Sequence, residues 1–180
     1  MRRRLFLISA SVLLVLGSGC QKQEPPKYQL TSTVTEIMGA MVMPSADALW
    51  NAVSTTITDK GTEEKAPKTA QEWKDVRNRA LTLMEASNLI LIPGRRVGVP
   101  VDTPLDQKIF MTPEQIEALI AQEPDSWTKM SQAMHDSVLP ALKAIDAKDA
   151  MALSDAGEAI DKACETCHHK FWYPNDAKKN

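Results

Sequence analysis

Ala163-Cys164-Glu165-Thr166-Cys167-His168-His169-Lys170, near the C-terminus, sits at the end of a long run of helical periodicity. On a helix, positions i, i+3 and i+4 share a face, so Cys164, Cys167 and His168 point the same way. Two thiols and the imidazole that follows them, in the order C-x-x-C-H, are the covalent attachment signature of a c-type haem. The cysteines tether and the histidine ligates. With 3 Cys and 3 His in the chain, random placement would produce such a box on the order of once in a thousand chains of this composition. A thioredoxin-like dithiol would follow a strand, whereas both flanks here read as helix. A structural zinc would want four ligands, and the remaining candidates are His135, His169 and a distant Cys20.

Working outward, Leu153, Ala156, Ile160, Cys164, Cys167, His168 and Phe171 form one stripe of the last helix. The box therefore lies on an inward face. The residues before it read as further helices. Leu30, Val34, Ile37, Met38 and Met41 step at helical spacing from Tyr28, and Pro44 kinks or divides that helix before Leu49 and Ala52. Gly61 and Pro67 mark 58–68 as a loop. Thr69 and Glu72 form a capping box that opens a second helix through Trp73, Val76, Ala80, Leu83 and Ile90 to about Ile92, where Pro93-Gly94 stops it. Arg95 to Met111 reads as a long connection, and Thr112-Pro113-Glu114-Gln115 starts a short helix ending near Pro124. Asp125 or Ser126 is expected to cap a third long helix that faces Trp127, Met130, Met134, Val138, Ala141 and Ile145 inward, with a kink at Pro140. A turn at 146–149 leads to the last helix. No strand-like alternation or internal repeat stands out, and the expected class is all-α.

Residues 1–20 combine Arg2, Arg3 and Arg4 with an apolar run from Leu5 to Leu16 and the small residues before Cys20, which is an export signal. Gln21 to Lys27, with two prolines, reads as a spacer, residues 28–174 as one domain, and 175–180 as a polar tail. Without the three signal arginines, 18 basic residues face 23 acidic ones, a formal charge of −5. Nucleic acid is thereby disfavoured as a partner.

The signal resembles that of bacterial lipoproteins, which implies lipid modification of Cys20, a periplasmic location and attachment to a membrane surface without a spanning helix. A haem box on the last of four long helices looks like the class II cytochromes c, the cytochrome c′ family, over the chain from about Tyr28 to Trp172. The specific motif is Cys164-Glu165-Thr166-Cys167-His168, supported by helix order and the turn at Ala147 to Ala150. This resemblance implies an antiparallel four-helix bundle, one covalent haem c on the C-terminal helix, His168 as proximal iron ligand, and a sixth position faced by the first helix. Dimers through the first helices are a further implication. The chain departs from the family at Trp172, where a basic residue is frequent, and in its long connection and extra short helix.

The sixth position decides the chemistry. A methionine, Met38 or Met41, would close the iron and make an electron carrier, while an apolar residue would leave it open to NO or CO. The family's spacing from Met38-Gly39 would instead bring Thr35 or Val34 to the iron, and the sequence leaves the choice open. His135 is a further candidate ligand, and Arg95 and Arg96 are candidate partners for the haem propionates. His169, one residue past the ligand, points about 100° away. Trp50, Trp73 and Trp127 are spaced as core walls. The expectation is an exported monohaem c-type cytochrome that transfers single electrons to redox protein partners. A gas-binding haem protein is the alternative. Peroxidase-like turnover would need a distal acid/base and a cation, and no such pair is evident on the first helix.

Overall fold

Thr33 begins the first helix. Its hydroxyl accepts from the Glu36 amide and the Glu36 carboxylate accepts from the Thr33 amide, a complete capping box. The next two amides are also satisfied, since Val34 and Thr35 donate to the carbonyls of Arg96 and Val97. The helix thus starts later than the apolar spacing from Tyr28 suggests, at Val34 after the Thr33 cap. Tyr28 and Leu30 are exposed.

The computed structural model describes residues 27–98 and 109–174. The signal with Cys20, residues 21–26 of the spacer, residues 99–108 of the connection and the tail lie outside the described residues. In order come α1 (Val34–Ile37), a π-helical turn (Met38–Val42), α2 (Met43–Trp50), β1 (Ser54–Thr58), β2 (Gly61–Lys65), α3 (Ala70–Leu89), α4 (Pro113–Gln122), α5 (Pro124–Ser137), α6 (Leu139–Ala147) and α7 (Ala150–Phe171).

The molecule is mostly helical but not purely so. Strands β1 and β2 pair antiparallel around the Asp59-Lys60 turn, with Thr55 opposite Glu64 and Ile57 opposite Thr62. Gly61 takes a positive φ of 124° where the turn re-enters the ladder. This ribbon corrects the loop expected over 58–68. Its β-branched Thr55, Thr56, Ile57 and Thr58 favour extended backbone. No apolar alternation marks it, because neither face is covered and Ile57 is 84% exposed.

Helix α3 opens at the expected Thr69/Glu72 capping box and α4 at Thr112/Gln115. Hydrogen bonds from the Lys68 and Thr69 backbone and the Thr69 hydroxyl hold the Glu72 carboxyl below its ordinary range. Helix α5 departs from expectation. Pro124 begins it, neither Asp125 nor Ser126 caps it, and the Ser126 hydroxyl donates to Glu123 Oε2 at 3.0 Å. Pro140 lacks the N–H an unbroken helix would use, and α5 gives way to α6 at Val138. Lys148 in the left-handed region (φ 56°) reverses the chain, and Asp149 caps α7 by accepting from the Ala152 amide.

Helix α3 packs on α2, α5 and α6, while α7 packs on α5, α6 and α2. The shared core includes Leu49, Leu83, Trp127, Val138, Ile160 and Phe171. Trp50 ties α2 to α7, its indole N–H donating to the Gly157 carbonyl at 3.0 Å. A side chain at position 157 would crowd that ring, its Cβ coming within 3.1 Å of Trp50 Cδ1.

Candidate haem-attachment site

The inward stripe of α7 is as the spacing predicts. Leu153, Ala156, Ile160, Cys167 and Phe171 are buried, and Cys164 and His168 sit half-buried at its edge. Cys164, Cys167 and His168 line one narrow apolar cleft with Met38 and Val42 of the π turn, Ile90 just after α3, and Met130, Ser131 and Met134 of α5. The Ser131 hydroxyl is already satisfied, donating to the Trp127 carbonyl at 2.9 Å. The rest of that lining is thioether and hydrocarbon apart from the box.

This setting keeps both thiols neutral. Burial first, then the charges of Asp161 and Glu165, push Cys164 up to about 11. Burial and the neighbouring Cys164 push Cys167 up to about 12. A dithiol of this kind is a poor redox nucleophile at neutral pH, since the thiolate is the reactive form.

His168 lies on the outer side of the stripe. Its Nδ1 is 3.6 Å from Glu165 Oε1. Its ring meets Trp172 edge-on and Tyr173 at a tilt, with centroids 5.8 Å away in each case. Trp172 in turn stacks on Trp127 at 6.2 Å, and Trp127 meets Phe171 edge-on at 5.2 Å. The residue standing where the resembled family favours a cation is therefore part of an aromatic wall.

The other sequence candidates lie elsewhere. Met41 is half-buried against the core but does not line the cleft; neither do Val34, which is buried, nor Thr35, which is exposed. His135 Nδ1 is 2.9 Å from Asp136 Oδ1 at the surface. His169 is exposed, with Nε2 3.7 Å from Glu165 Oε2. Arg95 donates to the carbonyls of Leu89 and Ser32, and Arg96 pairs with Glu117 at 2.7 Å. Trp73 and Trp127 are buried core walls, and Trp50 is half-buried. Sequence reasoning placed Met130 and Met134 inward without bringing them to the box. The only available signal was their shared apolar stripe.

Among the described residues, no group of three or more His, Cys, Asp or Glu side chains is placed to hold a metal ion, and no helix is long and apolar enough to cross a membrane. Compared with known proteins, the chain matches no family model, no curated protein sequence and no solved structure.

Proposed function

We propose that this chain is an exported, lipid-anchored monohaem c-type cytochrome that transfers single electrons, built as a four-helix bundle with its haem on α7. The observation that carries this reading is the convergence of Cys164, Cys167 and His168 on one apolar cleft that also receives Met38 from the first helix. The donor set fits the group. Two neutral thiols three residues apart would hold it through thioethers, and the imidazole one residue later would supply an axial nitrogen. Haem bound there would supply a one-electron iron couple. The apolar lining would limit water around it, which would favour the less charged ferrous state.

Met38, which reaches the cleft where Met41 does not, is the methionine that would offer its thioether to the iron, and such a thioether would close the site and make a carrier. The apolar residues Val42 and Ile90 support a second reading, an open iron that takes small neutral gases. A peroxidase would want an acid/base and a cation, and the described lining beyond the box has neither. The net negative charge suits a redox partner with a basic surface.

The test is the visible spectrum of the exported chain from a host competent in haem attachment, ferric and ferrous, with and without CO. A low-spin spectrum indifferent to CO supports the carrier. A high-spin spectrum that moves with CO supports gas binding. A chain without covalent haem, or one whose spectrum is untouched by His168→Ala, overturns the proposal.

A further inference from the structure

The C-x-x-C-H box makes no demand on its two spacer positions, yet Glu165 occupies one of them and is drawn into contact with the ligating histidine. Helical i, i+3 spacing brings its carboxylate alongside His168, Oε1 to Nδ1 3.6 Å. Its second oxygen, Oε2, accepts from the Tyr173 hydroxyl at 2.8 Å. Tyr173 reaches back because the helix ends in a tight reversal: the Trp172 and Tyr173 amides both donate to the His168 carbonyl, at 2.8 and 3.0 Å. The nearby cation Lys170 is engaged elsewhere, on Glu123 at 2.6 Å. The charge facing Nδ1 is thus the Glu165 carboxylate, and His169 Nε2 lies 3.7 Å from that same carboxylate.

We infer that Glu165 is a positioning residue for His168: anchored by Tyr173, its carboxylate lies at charge–charge distance from Nδ1, favours the proton on that nitrogen, and so leaves Nε2 as the nitrogen that would ligate iron. This rests on the haem reading above. A carboxylate partner on the far nitrogen of a ligating histidine fixes the ring and raises its basicity, which stabilises the more highly charged ferric state. The Tyr173 hydroxyl bears on His168 through Glu165, and the ring contact between Tyr173 and His168 is kept in Tyr173→Phe.

The experiment compares the midpoint potential and ferric spectrum of the full exported chain with those of Glu165→Gln, Tyr173→Phe, the double variant and Glu158→Gln. Glu165→Gln raises the potential, Tyr173→Phe raises it less, and the double variant goes no further than Glu165→Gln alone. Glu158→Gln removes the same charge about 15 Å along the helix from His168 and leaves the potential nearly unchanged. If Glu165→Gln fails to fold, a raised potential in Tyr173→Phe still supports the inference and an unchanged one overturns it. Equal shifts from Glu165→Gln and Glu158→Gln, no shift, or additive shifts also overturn it, while the covalent haem of the wild type leaves the haem reading standing. A wild type without covalent haem overturns both.

Discussion

The backbone amide of Met43 donates to the carbonyl of Met38, five residues back where an α-helix uses four. The cause is local. Pro44 has no N–H to give to Ala40, and its ring would strike that carbonyl in a regular helix, so the turn before it widens. Met38 and Val42, four apart in the widened turn, both reach the cleft, while Met41 does not. A proline that reads in sequence as a simple kink therefore selects which methionine faces Cys164, Cys167 and His168.

On that geometry, Met38→Ala in the haem-loaded chain should turn a low-spin spectrum into one that responds to CO, and Met41→Ala should leave it low-spin. CO difference spectra of the two variants decide the matter. A response from Met41→Ala alone would move the ligand assignment to Met41.

Acid should loosen the same end of the molecule. Glu117 Oε1 takes hydrogen bonds from Arg96 Nε at 2.7 Å and the Val97 amide at 2.9 Å. The Arg96 hydrogen bond foremost, against a smaller cost of burial, holds the Glu117 carboxyl below its ordinary range. A carboxyl with a depressed folded-state pKa contributes stability above its unfolded value, and that contribution is lost as pH falls through the folded value. The carbonyls of Arg96 and Val97 also hold the first amides of α1. Wild type should therefore lose urea resistance below pH 4.5 more steeply than Glu117→Gln, and parallel acid limbs would refute the assignment.

What the sequence made legible was whatever its chemistry makes local. That Cys164, Cys167 and His168 share one face follows from helical spacing, and the Thr69/Glu72 and Thr112/Gln115 caps from reciprocal hydrogen bonds three residues apart. The same signature at Thr33 and Glu36 was obscured by Leu30, whose helical spacing to Val34 mimics an earlier turn although Leu30 is exposed. The hairpin carries no burial pattern to read. Met130 and Met134 were legible as inward, but their facing the box depends on how α5 meets α7. Glu165 and Tyr173 meet only because the chain reverses after His168, a backbone event no side-chain pattern announces.

Ser45 is completely buried in α2, and among the described residues its hydroxyl has no hydrogen-bond partner. Burying a hydroxyl without a compensating bond costs free energy, so its removal at nearly constant shape should help. Ser45→Ala is expected to raise unfolding stability by about 1 kcal/mol, seen as a higher urea midpoint with an unchanged slope. A lower midpoint would mean that the hydroxyl is satisfied in solution.

Before haem attachment the two thiols should be nearly inert in the folded chain. Burial pushes Cys164 up to about 11 and Cys167 up to about 12, and alkylating reagents attack the thiolate. At pH 7 the folded haem-free chain should take up iodoacetamide at these positions on the order of a hundredfold more slowly than the chain in urea, with Cys167 slower than Cys164. In the haem-loaded protein neither should label even when unfolded, because the sulfurs are then thioethers. Mass spectrometry of the labelled peptides separates these cases. Fast labelling of the folded haem-free chain would show that the cleft does not close over its cysteines, and labelling of the unfolded haem-loaded chain would show that they do not carry the haem.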